Sequence, residues 1–420
     1  MLTRIAIVIA DSNSACSVPA VKGGAVASLV EHLIAENSKE HQCEFTVFSY
    51  FDEDAAKAAT KYKNVDFCWI RVPKVVKKID SFLFLFVTKI LKKQKAISYK
   101  RLASLIYYIL CVSFRLKESN CNKVVLENNI VLSWVIRLNG NIERYKGRCY
   151  YHLHNIPRIN AKNRLIFNDI EKFLCVSQYV AGRIMSSSNP IGPVPKEKIA
   201  VVKNCIDAAK FKKESISENE ILSLRKELEI ADQDIVLLFV GRLSKEKGVD
   251  QVVKALDHLN DLPVKLIIVG NTLSSGEIKD AFLTQLQEET RQHQKQIKFT
   301  GYMSQDKVRV LYNISDFAIL PSMWDEPAGL TMIEAMAAGK VVITTNSGGI
   351  PEYTQPGASI ILDRENNLPV AIADTVRYYV AHPEEYAQVC RKGQKVVYDT
   401  YNLNHYLSSF LGALGETEHE

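Results

Sequence analysis

Residues 315–352, SDFAILPSMWDEPAGLTMIEAMAAGKVVITTNSGGIPE, constrain the fold of this chain more than any other stretch. The apolar run 317–320 reads as a buried strand, and a helix is expected from Gly329 through Ala338, stopped by Gly339. A second strand over 341–344 and a Gly348-Gly349 turn complete the unit. A parallel strand that feeds a helix N-terminus through a tight loop aims free N–H groups and the positive end of the helix dipole at one point, which suits an anion. Glu326 in the loop and Glu334 in the second turn bracket that point. A phosphate site flanked by two carboxylates fits a ligand with both phosphate and sugar hydroxyls. The plainer alternative is an acidic loop and helix of a doubly wound sheet.

Glu326-Pro327-Ala328-Gly329-Leu330, Glu334-Ala335-Met336-Ala337 and Gly348-Gly349-Ile350-Pro351-Glu352 together resemble the donor-site signature of the retaining GT-B glycosyltransferases of family four, also called group 1. Two positions depart from that pattern: Ala328 stands for the usual Phe, and Val341 for a Pro. The resemblance implies two Rossmann-like α/β domains with a donor cleft between them. It also implies that Glu326 contacts the transferred sugar and that Glu334 binds the ribose of the nucleotide.

Strand and helix signals alternate along the rest of the chain, as a parallel α/β fold requires. Strands are expected over 4–10, 45–50, 65–71, 124–126, 149–153, 173–176 and 199–202, and again over 235–240, 264–269, 297–300, 317–320, 341–344 and 359–362. Residues 1–204 read as an acceptor-side domain, completed by a C-terminal helix at 403–414 that the resemblance sends back to it. Residues 205–402 read as the nucleotide-sugar-binding domain.

Arg242 follows one strand and Lys247 lies five residues on, in LFVGRLSKEKG. Two cations at the carboxyl edge of a parallel sheet can neutralise a diphosphate, and the resemblance gives them the departing nucleoside diphosphate. Gly23-Gly24 at a strand-to-helix turn permits close backbone approach to a ligand and is not GxGxxG, which argues against a dinucleotide oxidoreductase. His154, followed by Asn155, ends the strand CYYHLH and could face a sugar hydroxyl or phosphate. By resemblance, Tyr302 lies near the base, and Gly329, Leu330 and Thr331 complete the donor set. The catalytic set is then Glu326, Arg242, Lys247 and His154.

The DxD-like triplets 52–54 and 232–234 read as solvated acidic turns, so neither a metal nor a cofactor is expected beyond the nucleotide-sugar co-substrate. Nine scattered cysteines without a CxxC pair fit free thiols in a reducing cytosol. The N-terminal apolar run is too short for a secretion signal, and no run reaches membrane-spanning length.

The net charge of +6 divides into +15 over residues 1–204 and −9 over the remainder. Residues 71–117 hold twelve Lys or Arg, seven aromatics and a single acid, Asp80. That composition suits either an anionic membrane surface or a solvated helix face; no nucleic-acid motif accompanies it. The expectation is a cytoplasmic enzyme, peripheral at the inner face of the cell membrane. It would move a sugar, as a UDP-linked donor, to a glycan or lipid-linked acceptor in polysaccharide or lipopolysaccharide synthesis. Three rivals remain: an epimerase of the same fold, an inverting transferase with Asp11 or His154 as base, and a non-catalytic nucleotide-sugar binder.

Overall fold

The computed structural model describes residues 2–10, 17–90, 100–271, 281–365 and 367–416. Asp11, the basic residues within 91–99 and the tail 417–420 lie outside them. The chain divides into two compact units, Met1–Asn204 with Leu403–Glu420, and Cys205–Asn402.

The first unit is a seven-stranded parallel sheet: β1 (Arg4–Ile9), β2 (Glu44–Tyr50), β3 (Val65–Ile70), β4 (Lys123–Glu127), β5 (Cys149–Leu153), β6 (Lys172–Cys175) and β7 (Ile199–Val201). Their spatial order is β3-β2-β1-β4-β5-β6-β7, so the sequence order reverses between β1 and β4. The helix Leu403–Ala413 belongs to this unit, packing on the helix Ala25–Glu40 and burying Phe410 completely, with its ring 6.5 Å from Phe45. Thr3 donates to the Glu416 carboxylate at 2.7 Å, and Lys123 donates to the Leu414 carbonyl at 2.5 Å. Tyr108 locks the carboxyl edge by donating its buried hydroxyl to Ile9 O (2.8 Å) and Phe48 O (2.6 Å).

Residues 79–117 contain no Gly or Pro and carry a helical pattern, yet the structure divides them between two helices. Lys74–Leu85 forms one helix, continued by a wider turn over Phe86–Ile90, and Leu102–Glu118 forms another. The Asp80 carboxylate accepts from the Ala103 amide at 2.7 Å and from Ser104, so it caps the start of the second helix. A pattern of spacing alone does not reveal such a cap, because the acid that makes it lies more than twenty positions upstream.

The second unit holds β8 (Ile235–Val240), β9 (Val264–Val269), β10 (Ile297–Gly301), β11 (Phe317–Leu320), β12 (Val341–Thr345) and β13 (Ile360–Leu362), all parallel, in the order β10-β9-β8-β11-β12-β13. Both faces of this sheet are covered, which is why its central strands are apolar at every position. Val236 and Leu238 of β8 point into a core with Met332, Ile333 and Met336. Leu237 and Phe239 point into the opposite core, with Val252 and Ile372. β8 meets β11 only at Leu237 and Leu238, whereas its pairing with β9 runs on to Val240. The sheet therefore parts at the carboxyl ends of β8 and β11, where a doubly wound fold takes its ligand.

Candidate functional site

The loops leaving β8 and β11 meet over that parting. Glu246 O accepts from the Met323 amide at 2.8 Å. Gly248, at φ 69°, lies so close to Pro321 that any Cβ there would strike the Pro321 carbonyl. The helical turn Lys245–Lys247 thus sets Lys247 against the second loop, and its Nζ reaches Glu326 Oε1 at 2.7 Å. Both side chains are largely shielded from water, at 23% and 13% exposure. Arg242 is more open, with only a long 3.9 Å contact to Glu246.

Glu326 is held through its backbone. Its carbonyl accepts from the Gly349 amide at 2.7 Å, and Gly348 adopts φ 55° where a Cβ would fall 2.8 Å from Glu326 N. The Gly348-Gly349 turn therefore works as a clamp on the acidic loop. Gly329 starts the helix Leu330–Ala337, with no side-chain cap and no acid in its first turn. The amides around Leu330 and Thr331 form a positive helix end of the kind that binds phosphate. Glu334 accepts from Tyr312 Oη at 3.2 Å. Burial pushes its pKa up to about 7 against the opposing effect of that hydrogen bond, though the side chain keeps some exposure. Tyr302 follows β10 and is 70% exposed.

In the first unit, Gly23 and Gly24 take φ of 77° and 116°, and Gly24 caps the helix Ala25–Glu40. Gly24 lines a recess of about 450 Å³ at the carboxyl ends of β1 and β4, with Ala10, Asn128, Asn129 and Arg158. His154 follows the carboxyl end of β5, as expected, and is buried there. It is 8% exposed, and its Nε2 lies 3.0 Å from Glu127 Oε2, the oxygen that also lies 3.2 Å from His152 Nδ1. Burial, then the neighbouring His152, depress the His154 pKa. Burial alone would raise that of Glu127, but the two imidazoles overcome it and hold the carboxylate at about 2. Two imidazoles and a carboxylate are a possible metal donor set. Here one nitrogen of each imidazole faces the Glu127 carboxylate, while His152 Nε2 and His154 Nδ1 are buried without a hydrogen-bond partner among the described residues; the enclosed arrangement suits an internal brace. Sequence reading missed Glu127, although an acid closing the buried strand KVVLE was a visible signal; Tyr312 carried none.

Asp52 caps the helix Glu53–Ala59 and pairs with Lys22, while Asp234 accepts from Ala231 N at 2.8 Å to close a turn. Both triplets are local turn and cap residues.

Residues 220–396, most of the second unit, match the family described as Glycosyl transferases group 1. Lipopolysaccharide 1,2-N-acetylglucosaminetransferase of Salmonella typhimurium is 28% identical over 52% of this chain and 56% of its own length. N-acetyl-alpha-D-glucosaminyl L-malate synthase of Bacillus anthracis is 28% identical over 51% of this chain and 53% of its own. The chain thus spans little more than half the length of these curated relatives. Among solved structures, Anabaena HepE in complex with UDP and glucose superimposes with a TM-score of 0.71 at 17% identity, covering 98% of this chain and 99% of that one. The trehalose-6-phosphate synthase OtsA gives 0.71 at 13%, over 98% and 99%. The fold is that of the GT-B glycosyltransferases.

Proposed function

We propose that this chain is a retaining glycosyltransferase that moves a hexosyl group from a nucleotide-diphosphate sugar to a hydroxyl of a glycan or lipid-linked acceptor. The observation that carries the reading is the Lys247–Glu326 pair at the parting of β8 and β11, beside an uncapped helix N-terminus. Charge develops on the leaving diphosphate as the bond from the anomeric carbon to oxygen breaks and its electron pair departs with the phosphate. Lys247, Arg242 and the amides of Gly329, Leu330 and Thr331 are the groups of opposite sign at this edge, and they stabilise that charge. The acceptor hydroxyl attacks the face being vacated and passes its proton to the departing phosphate oxygen, so configuration is kept and no enzymic nucleophile is needed.

Glu326 receives sugar hydroxyls and Glu334 the ribose, with Tyr302 beside the base. Within the first unit, the Gly23-Gly24 turn and His154, held by Glu127, are the proposed ligand-facing groups. Two cations and a helix end supply the charge stabilisation, so transfer runs without a metal. UDP is the proposed carrier, since HepE is described in complex with it. Cell-surface polysaccharide or lipopolysaccharide is the proposed product, after the activity named for the Salmonella relative. The enzyme then works in the cytoplasm at the inner face of the membrane; among the described residues no helix is long and apolar enough to cross one.

Incubation with a panel of nucleotide sugars, followed by NMR of the released or transferred sugar, tests this. Product of unchanged anomeric configuration supports the reading. Inverted product, or no turnover of any donor by a protein that binds them, rejects it.

A further inference from the structure

The helix Lys74–Leu85 buries only one residue, Asp80. Val75, Ile79, Phe82 and Phe86 stand out from the protein, Phe82 at 67% exposure. Their spacing of four, three and four residues puts them on one helical face. The neighbouring helix Leu102–Glu118 sinks Leu105, Tyr108, Ile109, Val112 and Leu116 into the core and presents Ile106, Leu110 and Phe114, each about half exposed, in steps of four. Single exposed apolar residues are ordinary, but two rows on adjacent helices mark a surface that something covers.

The charges around these rows indicate what covers them. Lys74, Lys77, Lys78, Lys89, Arg115 and Lys117 are exposed on the two helices and the turn that continues the first; of their two acids, Asp80 is buried and used as a cap, and Glu118 is exposed at the end of the second helix. Apolar rows edged by six exposed cations against one exposed acid, Glu118 at the end of the second row, match the interface of an anionic bilayer. Beside the first helix, Lys77, Lys100 and Arg101 line a recess of about 510 Å³ whose other walls include Ile70, Phe84, Leu85 and two acids, Asp52, which pairs with Lys22, and Asp80, which caps the second helix. Arg101 lies 5.4 Å over the Tyr50 ring, and its Nε is buried without a hydrogen-bond partner among the described residues. A phosphate oxygen would supply that partner.

We infer that the first unit docks on an anionic bilayer through these two helix faces and takes the phosphate of a lipid headgroup into the Lys77–Lys100–Arg101 recess. The inference rests on the proposed transfer only in so far as that lipid is the acceptor; docking itself is independent of it.

Co-sedimentation tests it with neutral phosphatidylcholine vesicles, vesicles containing phosphatidylglycerol, and vesicles given the same charge with oleate, which carries no phosphate. The protein should bind the phosphatidylglycerol vesicles best, bind the neutral ones weakly, and let go as salt rises. Phe82→Ser with Phe114→Ser should remove binding while leaving thermal stability and nucleotide-sugar hydrolysis unchanged, because both rings are already exposed. Each of Lys74→Gln and Lys78→Gln should weaken binding about fivefold, the ratio that about 1 kcal/mol per basic residue gives. Arg101→Gln should erase the preference for phosphatidylglycerol over oleate. Binding indifferent to lipid charge, or unaffected by the double Ser variant, would overturn the inference. So would a wild-type dimer that the double variant splits, because the face would then belong to a second copy. Vesicle binding by a protein that turns over no nucleotide sugar would support docking and reject the transfer reading alone.

Discussion

Lys247 Nζ lies 2.7 Å from Glu326 Oε1, so two residues to which we assign different parts of a donor form one ion pair. A diphosphate and a sugar arriving there must share or replace that contact. The two residues are therefore coupled, and their substitutions should not add. Lys247→Ala should lower kcat by about two decades, roughly 3 kcal/mol of transition-state stabilisation. Glu326→Ala should damage transfer while sparing nucleotide affinity. The double variant should cost clearly less than the sum. Steady-state rates for all four proteins measure this; strict additivity would mean that the pair plays no part together.

Glu334 gives a pH signature. Its pKa in the folded protein rises from 4.5 to about 7, chiefly through burial. Between those values the folded chain holds a proton that the unfolded chain has released, so this group makes stability fall as pH rises. The ionised carboxylate is the better acceptor for ribose hydroxyls, so nucleotide affinity should increase as pH passes through about 7. Glu334→Gln should flatten both profiles. Calorimetric titration with the nucleotide from pH 5.5 to 8.5 would show it; parallel profiles for variant and wild type would remove Glu334 from the ribose.

Gly348→Ala tests the clamp. At φ 55° the new methyl would fall 2.8 Å from Glu326 N, and backbone must move to admit it. Strain of this kind costs on the order of 1–3 kcal/mol. Activity should fall by more than stability does, because the displaced segment carries Glu326. Equal activity at full stability would show that the Glu326 backbone need not be held there.

Metal independence has a direct check. Transfer should survive excess EDTA, since Arg242, Lys247 and the helix end at Gly329 supply the positive charge. Activity lost there and restored by manganese or magnesium would point instead to an acidic site.

Phe410→Ala should destabilise the first unit by about 3–5 kcal/mol, the usual cost of emptying a buried aromatic site. The second unit keeps its own two cores. Differential scanning calorimetry should show the first unit's transition fall while a nucleotide still raises that of the second.

The architecture was legible because parallel strands buried on both faces must be apolar throughout, and 235–240 or 317–320 could be little else. Glu326, Lys247 and Gly348 stood out because each falls in a short segment of the group 1 pattern at the carboxyl edge of a parallel sheet. Partners across the fold were not legible. Nothing local links Lys247 to Glu326, 79 residues away, or His154 to Glu127, the contact that goes with the burial of His154. The 71–117 segment was legible in composition but not in exposure: periodicity places Phe82 and Tyr108 on helices alike, and only packing leaves one outside and buries the other.

The return of the helix Leu403–Ala413 to the first unit also fixes an order of assembly. Cys205–Asn402 form a compact unit by themselves, so that unit can close as soon as its last residue leaves the ribosome. The first unit is made earlier yet waits longer. Roughly 200 residues at about 5–20 per second keep it waiting for about 10–40 s, with the apolar seat of Phe410 beside Phe45 open throughout. The half synthesised first is the half that finishes last, and for that interval it is the part of the nascent chain most in need of a chaperone.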